Sequence, residues 1–278
     1  MTKITAAEVN KLRQSTGAGM MDCKKALTEA NGDFDTAVEV LRKKGQKVAN
    51  KRADRQANEG VVLAKINNDA TSAAIIMLNS ETDFVAKNEE VVSLAQEIIK
   101  TAVEKEPGTL EELKQTTING RTIEEKITDM IGKTGEKLIL SCYEKVKGTK
   151  AFAYTHSNNR VASIATLNKE NVSNIDQVGK DIVMQIAAMS PVAIDKDDVP
   201  QEIIDREIEI GKDQARQEGK PEELLEKIAM GKVNKFYKES TLLNQEFIKD
   251  SKKSVRQMLT EADKDLTVTE FKRLALGE

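Results

Sequence analysis

Two stretches of this sequence repeat one order of events, and that recurrence restricts the possible folds more than any other feature. G-V-V-L-A-K-I-N-N-D-A-T-S-A-A-I-I-M-L-N, from Gly60, holds two β-rich runs around N-N-D-A-T, which is a hairpin signal. Beyond T-D-F-V the period becomes helical, with Val91, Leu94, Ala95, Ile98, Ile99 and Ala102 on one face until Pro107 and Gly108 break it. A-F-A-Y-T-H-S-N-N-R-V-A-S-I-A-T-L, from Ala151, is again strand, Asn-rich turn and strand, and Val178, Ile182 and Ile186 then align on a helix. The recurrence predicts an α+β fold with two related subdomains, each a hairpin whose apolar face is covered by its helix. Residues 110–147 are expected to bridge them mostly as helix, packing through Leu138, Ile139 and Tyr143.

The flanks read differently. Val9 and Leu12 with Ile4, then Cys23, Ala26, Leu27 and Ala30, then Phe34, Ala37, Val38 and Leu41, mark three short helices. Asp33 is placed to cap the third and Gly45 to stop it. Such a bundle is too small for an enzyme core but ample for docking, with Cys23 most simply a buried small hydrophobe. A basic tract follows, with Lys43, Lys44, Lys47, Lys51, Arg52 and Arg55. It reads as a solvated helix or linker, or as a contact strip for an acidic partner. Beyond Pro191 and Pro200, Ile204, Ile208, Gly211 and Ala215 face Leu225, Ala229 and Phe236 across a turn at Gly219. So thin a seam on two charged helices predicts a projecting antiparallel hairpin, the least stable large element.

Composition narrows the function. The chain has 278 residues, enough for two modest domains or one large one, and 32% of them are charged. Aromatics make up 3%, Trp is absent and the net charge is −3, so no dedicated nucleic-acid site is expected. No apolar run approaches the roughly 18 residues of a membrane span, and M-T-K-I-T-A-A-E-V-N lacks a secretory h-region. Cys23 and Cys142 lack CxxC spacing, which fits a reducing cytosol, so a cytoplasmic protein is expected. I-G-K-T-G at 131–135 suggests a phosphate loop, but a Walker A motif needs glycine where Ile127 stands. G-A-G at 17–19 follows a helix rather than a strand. His156 is the lone histidine, and nothing assembles a nucleophile, base and oxyanion donor. The chain is therefore read as non-catalytic, with no cofactor, metal or nucleotide site of its own.

One junction leaves two readings open. In N-S-E-T-D-F-V-A-K-N-E-E, from Asn79, Phe84 can close the hairpin–helix core, with Asp83 as a local cap, or stand at an exposed tip and wedge into something else.

L-R-Q-S-T-G-A-G-M-M-D-C-K-K-A-L-T-E-A-N-G-D, followed by A-V-E-V-L-R-K-K-G, closely resembles the amino-terminal signature of the translation elongation factor Ts family. T-D-F-V-A-K at 82–87 resembles its second signature, and G-K-P-E-E-L-L-E-K-I-A-M-G-K-V-N-K-F-Y-K-E-S-T-L-L-N-Q-E-F its later segment. The resemblance implies a guanine nucleotide exchange factor acting on elongation factor Tu with bound GDP, in protein synthesis. It implies a ubiquitin-associated-like three-helix domain with its basic linker at 1–54. A first α+β core subdomain would follow at 55–140, and a second at 141–278, interrupted by a coiled-coil arm at about 198–238. It assigns the decisive role to the second signature, Thr82, Asp83, Phe84 and Val85, with Asp83 and Phe84 entering the partner beside its switch region and disturbing the Mg²⁺ and phosphate end of the nucleotide site. It also implies contact near Thr16, Gly17, Met20 and Met21, although the two methionines can equally be core. Tyr154 and His156 match a motif of the family's second hairpin, which implies an interface role for His156. Asn159-Arg160 stands where the family often has Gly-Arg, and Asn tolerates the left-handed backbone such a turn needs.

Overall fold

The computed structural model describes residues 4–278. Three helices open it: α1 (Ala6–Thr16), α2 (Met20–Glu29) and α3 (Phe34–Arg52). Thr5 and Glu8 form a reciprocal capping box on α1, and Gly17 ends that helix in the left-handed conformation at φ 66°. Asp33 caps α3 by accepting the Thr36 N–H at 2.7 Å. The apolar stripes meet in a small core centred on Leu12, Cys23, Leu27 and Ala37.

α3 does not stop at Gly45 but continues to Arg52. The glycine serves a helix crossing instead. A Cβ on Gly45 would lie 3.0 Å from the Thr128 carbonyl oxygen, and one on Gly132 would lie 3.1 Å from Gly45 Cα. Only two facing glycines let the backbones approach so closely. The first half of α3 thus closes the three-helix unit, and its second half packs Val48 and Ala49 on the core behind. Most of the basic tract is therefore helix, with Lys43, Lys47 and Lys51 exposed.

The first half of the core runs β1 (Glu59–Ile66), β2 (Ser72–Ser80), α4 (Asp83–Ala86), α5 (Glu89–Lys105) and α6 (Leu110–Gln115). The small ribbon β3 (Thr117–Ile118)–β4 (Arg121–Thr122) follows, then α7 (Ile123–Thr134) and β5 (Leu138–Lys147). The second half is β6 (Lys150–Thr155), β7 (Val161–Leu167), α8 (Ile175–Met189), α9 (Gln201–Gln217) and α10 (Glu222–Ser240). It closes with the ribbon β8 (Glu246–Phe247)–β9 (Asp250–Ser254), α11 (Val255–Ala262) and β10 (Val268–Ala275). The two sheets have the same order, β1-β2-β5 and β6-β7-β10, with all pairings antiparallel. In each half a ribbon leads through a capping box, Thr122 with Glu125 or Ser254 with Gln257, into a helix that returns as the third strand. The repetition thus reaches further than the hairpin and its helix.

β5 corrects the expectation of a mostly helical bridge, and the boundary expected at 140 falls inside it. A bulge explains the misreading. Met77 and Leu78 of β2 stand opposite Cys142 and Leu140, which leaves Ser141 unpaired and shifts the alternation. Buried residues then fall at Leu140 and Tyr143 on the helix-covered face and at Val146 on the face toward the other sheet, a spacing of three that imitates a helix. Ile139, expected to pack, lies on the exposed side.

Each sheet buries both faces. α5 and α7 cover Val61, Leu63, Ile76 and Leu78, and α8 and α11 cover Phe152, Ala165 and Leu167. The other faces meet each other through Val62, Ala73, Ile75, Ala151, Ala162 and Ile164. The result is a helix–sheet–sheet–helix stack, and the alanines let the two sheets approach closely. The β6–β7 turn reinforces it, since Asn159, at φ 54°, accepts the Val62 N–H of β1 at 2.8 Å.

α9 and α10 form the expected antiparallel hairpin, turned at Gly219 and seamed by Gly211, Ala215, Leu225, Ala229 and Val233. Its base is tied down by buried amides. Gln245 Nε2 donates to the Met189 and Glu239 carbonyls at 3.2 and 3.0 Å, and Gln185 Nε2 donates to Gln245 Oε1 at 3.1 Å.

Candidate functional site

α4 is a single turn wedged between the end of β2 and α5, and its neighbours fix it. Thr82 caps it by accepting the Val85 N–H at 3.3 Å, so the cap is Thr82 rather than Asp83. Ser80 Oγ donates to the Thr82 carbonyl at 2.8 Å. The Glu136 carboxylate accepts the Thr82 N–H at 3.1 Å and its hydroxyl at 2.9 Å. Ala86 is buried and Val85 packs on the first core cluster. With those two inward, Phe84 is turned out, and it is 83% exposed. The core-closing reading of Phe84 is thereby corrected. A large apolar side chain held outward on a fixed turn is a feature of interaction surfaces.

Asp83 sits beside it and pairs with Lys87 one turn on, at 2.6 Å. The hydrogen bond from Lys87 holds the Asp83 carboxyl below the usual carboxylate range, so it is ionised at neutral pH. Both side chains of the pair are exposed to solvent.

The other singled-out residues lie elsewhere. Met20 and Met21, on the first turn of α2, are 52% and 63% exposed, so both are surface rather than core. Gly17 precedes them, and a Cβ there would fall 2.2 Å from Lys133 Nζ, so the loop lies directly against α7. Thr16 ties the same loop to α1, its hydroxyl accepting the Ala18 N–H at 3.3 Å and donating to the Leu12 carbonyl at 2.7 Å. His156 is exposed at the β6–β7 turn, its Nδ1 2.8 Å from Tyr154 Oη. Cys23 is buried, and burial raises its thiol pKa, which suits packing rather than reactivity.

The I-G-K-T-G run is the last turn of α7. Gly135 ends that helix at φ 71°, and Gly132 is the crossing point with α3. Among the described residues no three His, Cys, Asp or Glu are grouped to hold a metal, and no helix is long and apolar enough to cross a membrane. Sequence reasoning missed Glu81, Glu136, Lys137 and Arg52, which hold the turn. Glu136 and Lys137 follow the glycine that ends α7 and Arg52 lies in the basic tract, but nothing local points to the partners, most of which lie far away in the chain.

Among the described residues Phe84 is the most exposed large apolar side chain, and its presentation on a fixed turn is a feature of interaction surfaces. Residues 81–278 match the Elongation factor TS family. The chain is 50% identical over 278 residues to elongation factor Ts of Cytophaga hutchinsonii, covering 100% of both chains. It is 50% identical over 274 residues to that of Amoebophilus asiaticus, with 99% of each covered, and 50% identical over 275 residues to that of Porphyromonas gingivalis, with 99% and 98% covered. The chain belongs to the elongation factor Ts family. At the level of the family, the function is guanine nucleotide exchange on elongation factor Tu, a non-catalytic activity of translation elongation.

Proposed function

We propose that this chain promotes GDP release from elongation factor Tu by inserting Asp83 and Phe84 near the Mg²⁺ and phosphate end of the partner's nucleotide site. The observation that supports the reading is Phe84, an aromatic ring 83% exposed on a turn tied down on both sides. An aromatic wedge contributes a large apolar contact at little cost in side-chain entropy. The ionised Asp83, exchanging Lys87 for donors of the partner, adds negative charge where Mg²⁺ and phosphates must be held. The coupling is reciprocal: a factor that weakens GDP binding is itself weakened by GDP to the same degree, so incoming nucleotide releases it. In this reading α1–α3 act as a ubiquitin-associated-type docking domain through Gly17, Met20 and Met21. α9 and α10 form a coiled-coil arm, His156 adds a contact, and the protein works in the cytoplasm.

The test is release of labelled GDP from preloaded elongation factor Tu of the same organism. Phe84→Ala should slow the catalysed release at least about thirtyfold, the equivalent of losing one interface hot spot. Raising free Mg²⁺ should slow the wild-type reaction. Near-normal release with folded Phe84→Ala protein would remove the wedge.

A further inference from the structure

The residues that hold the Phe84 turn also hold the end of α3. The Lys137 backbone N–H donates to Glu81 Oε1 at 2.7 Å, and the other Glu81 oxygen pairs with Arg52 of α3 at 2.8 Å. The Lys137 ammonium donates to the Ala53 and Arg55 carbonyls at 2.6 and 2.9 Å, where the last carbonyls beyond the helix lack helical partners. The adjoining Glu136 carboxylate takes both donors of Thr82. Two successive residues after the α7 cap therefore grip both the turn that carries Phe84 and the C-terminal end of α3. α3 itself is one unbroken helix of 19 residues whose first half belongs to the three-helix unit.

We propose that Glu136 and Lys137 are positioning residues that lock the Phe84 turn to the end of α3, so that the three-helix unit and Phe84 meet the GTPase partner as one rigid two-point contact. The proposal rests on the reading of Phe84 as the wedge. Charge-assisted hydrogen bonds suit this role, because they are short and directional and cost little reorganisation once formed. Docking by the three-helix unit then supplies orientation as well as affinity, and Phe84 arrives without a further search.

The test is single-turnover GDP release from elongation factor Tu with the factor in excess, reading the plateau rate and the half-saturating concentration separately. Glu136→Ala and Arg52→Gln should each lower the plateau about tenfold while half-saturation stays within about twofold, because misplacement removes orientation rather than contact. Glu136→Gln, which keeps an acceptor for the Thr82 N–H, should recover most of the plateau. In a Phe84→Ala background, Glu136→Ala should cost nothing further, since the two act through one group. A variant that merely folds less well loses active molecules, which raises half-saturation and spares the plateau; that pattern would overturn the proposal. So would a full additional loss in the Phe84→Ala background. A normal plateau for Glu136→Ala beside an impaired Phe84→Ala would sink the lock and leave the wedge standing. A normal plateau for Phe84→Ala would remove the wedge and the lock together.

Discussion

Phe84 leaves most of its ring in water while Val85 and Ala86, its neighbours on the same turn, pack inward. Truncating it should therefore change fold stability by no more than about 0.5 kcal/mol, whereas a buried Phe would cost about 3–5 kcal/mol. A melting curve on the Phe84→Ala sample used for GDP release checks this, and a large drop in melting temperature would put the ring inside. The outward placement was not legible in N-S-E-T-D-F-V alone, because a hairpin–helix junction admits either orientation. It follows from Glu136 and Ser80 fixing Thr82, contacts made across the fold and within the turn. Cys23 was legible, because Ala26, Leu27 and Ala30 share its helical face and the stripe has only one side to bury.

At the scale of elements, α9 and α10 pair across Gly211, Ala215, Leu225 and Ala229 as the seam predicts, with Val233 rather than Phe236 buried in it. A Cβ on Gly211 would lie 3.1 Å from Ala229 Cα. Gly211→Leu should push the two helices apart at a cost of about 1–3 kcal/mol. Hydrogen exchange should then speed up over α9 and α10 and stay slow over β1 and β2; unchanged exchange in both helices would mean the seam bears no load. The base of this hairpin should respond to acid. Partial burial raises the Asp195 carboxyl, but hydrogen bonds from Arg256 and Asn244, at 2.5 and 2.8 Å, outweigh it and hold the group below its ordinary range. A depressed folded-state value stabilises above the unfolded value, near pH 4, and that contribution is lost as pH falls through the folded one. Protection of the 193–199 and 241–245 amides should accordingly drop below about pH 4 in wild type and lose that pH step in Asp195→Asn. An identical acid profile in the variant would assign the transition to other carboxylates.

For the molecule as a whole, the three-helix unit reaches the core along α3, through the Gly45–Gly132 crossing. Gly132→Leu cannot keep that approach and should destabilise the junction by about 1–3 kcal/mol. Limited proteolysis should then cut within 53–58 faster than in wild type while the two sheets resist. Cutting at the wild-type rate would show that the junction does not depend on close helix approach. The sheet-on-sheet layer joins the two core halves in a comparable way, with Ala73 and Ile75 of one half against Ala151, Ala162 and Ile164 of the other.

Properties carried by neighbouring residues were set by the sequence itself. These are the two hairpins, the helical faces that follow them, the three-helix stripe at the start, the thin seam of α9 and α10, and the motifs that mark the family. Each depends on a period or a turn written within some twenty positions, where local sterics and the hydrophobic stripe agree. Tertiary structure decided the rest. Ser141 breaks the alternation of β5 only because it bulges against β2, and Gly45 lies inside a helix because Gly132 faces it. Glu136 and Lys137 gain their role from Thr82, Glu81 and the α3 terminus, brought to them by the fold. Pairing register, close backbone approach and hydrogen bonds to distant residues depend on what lies across the gap, and no local period records that.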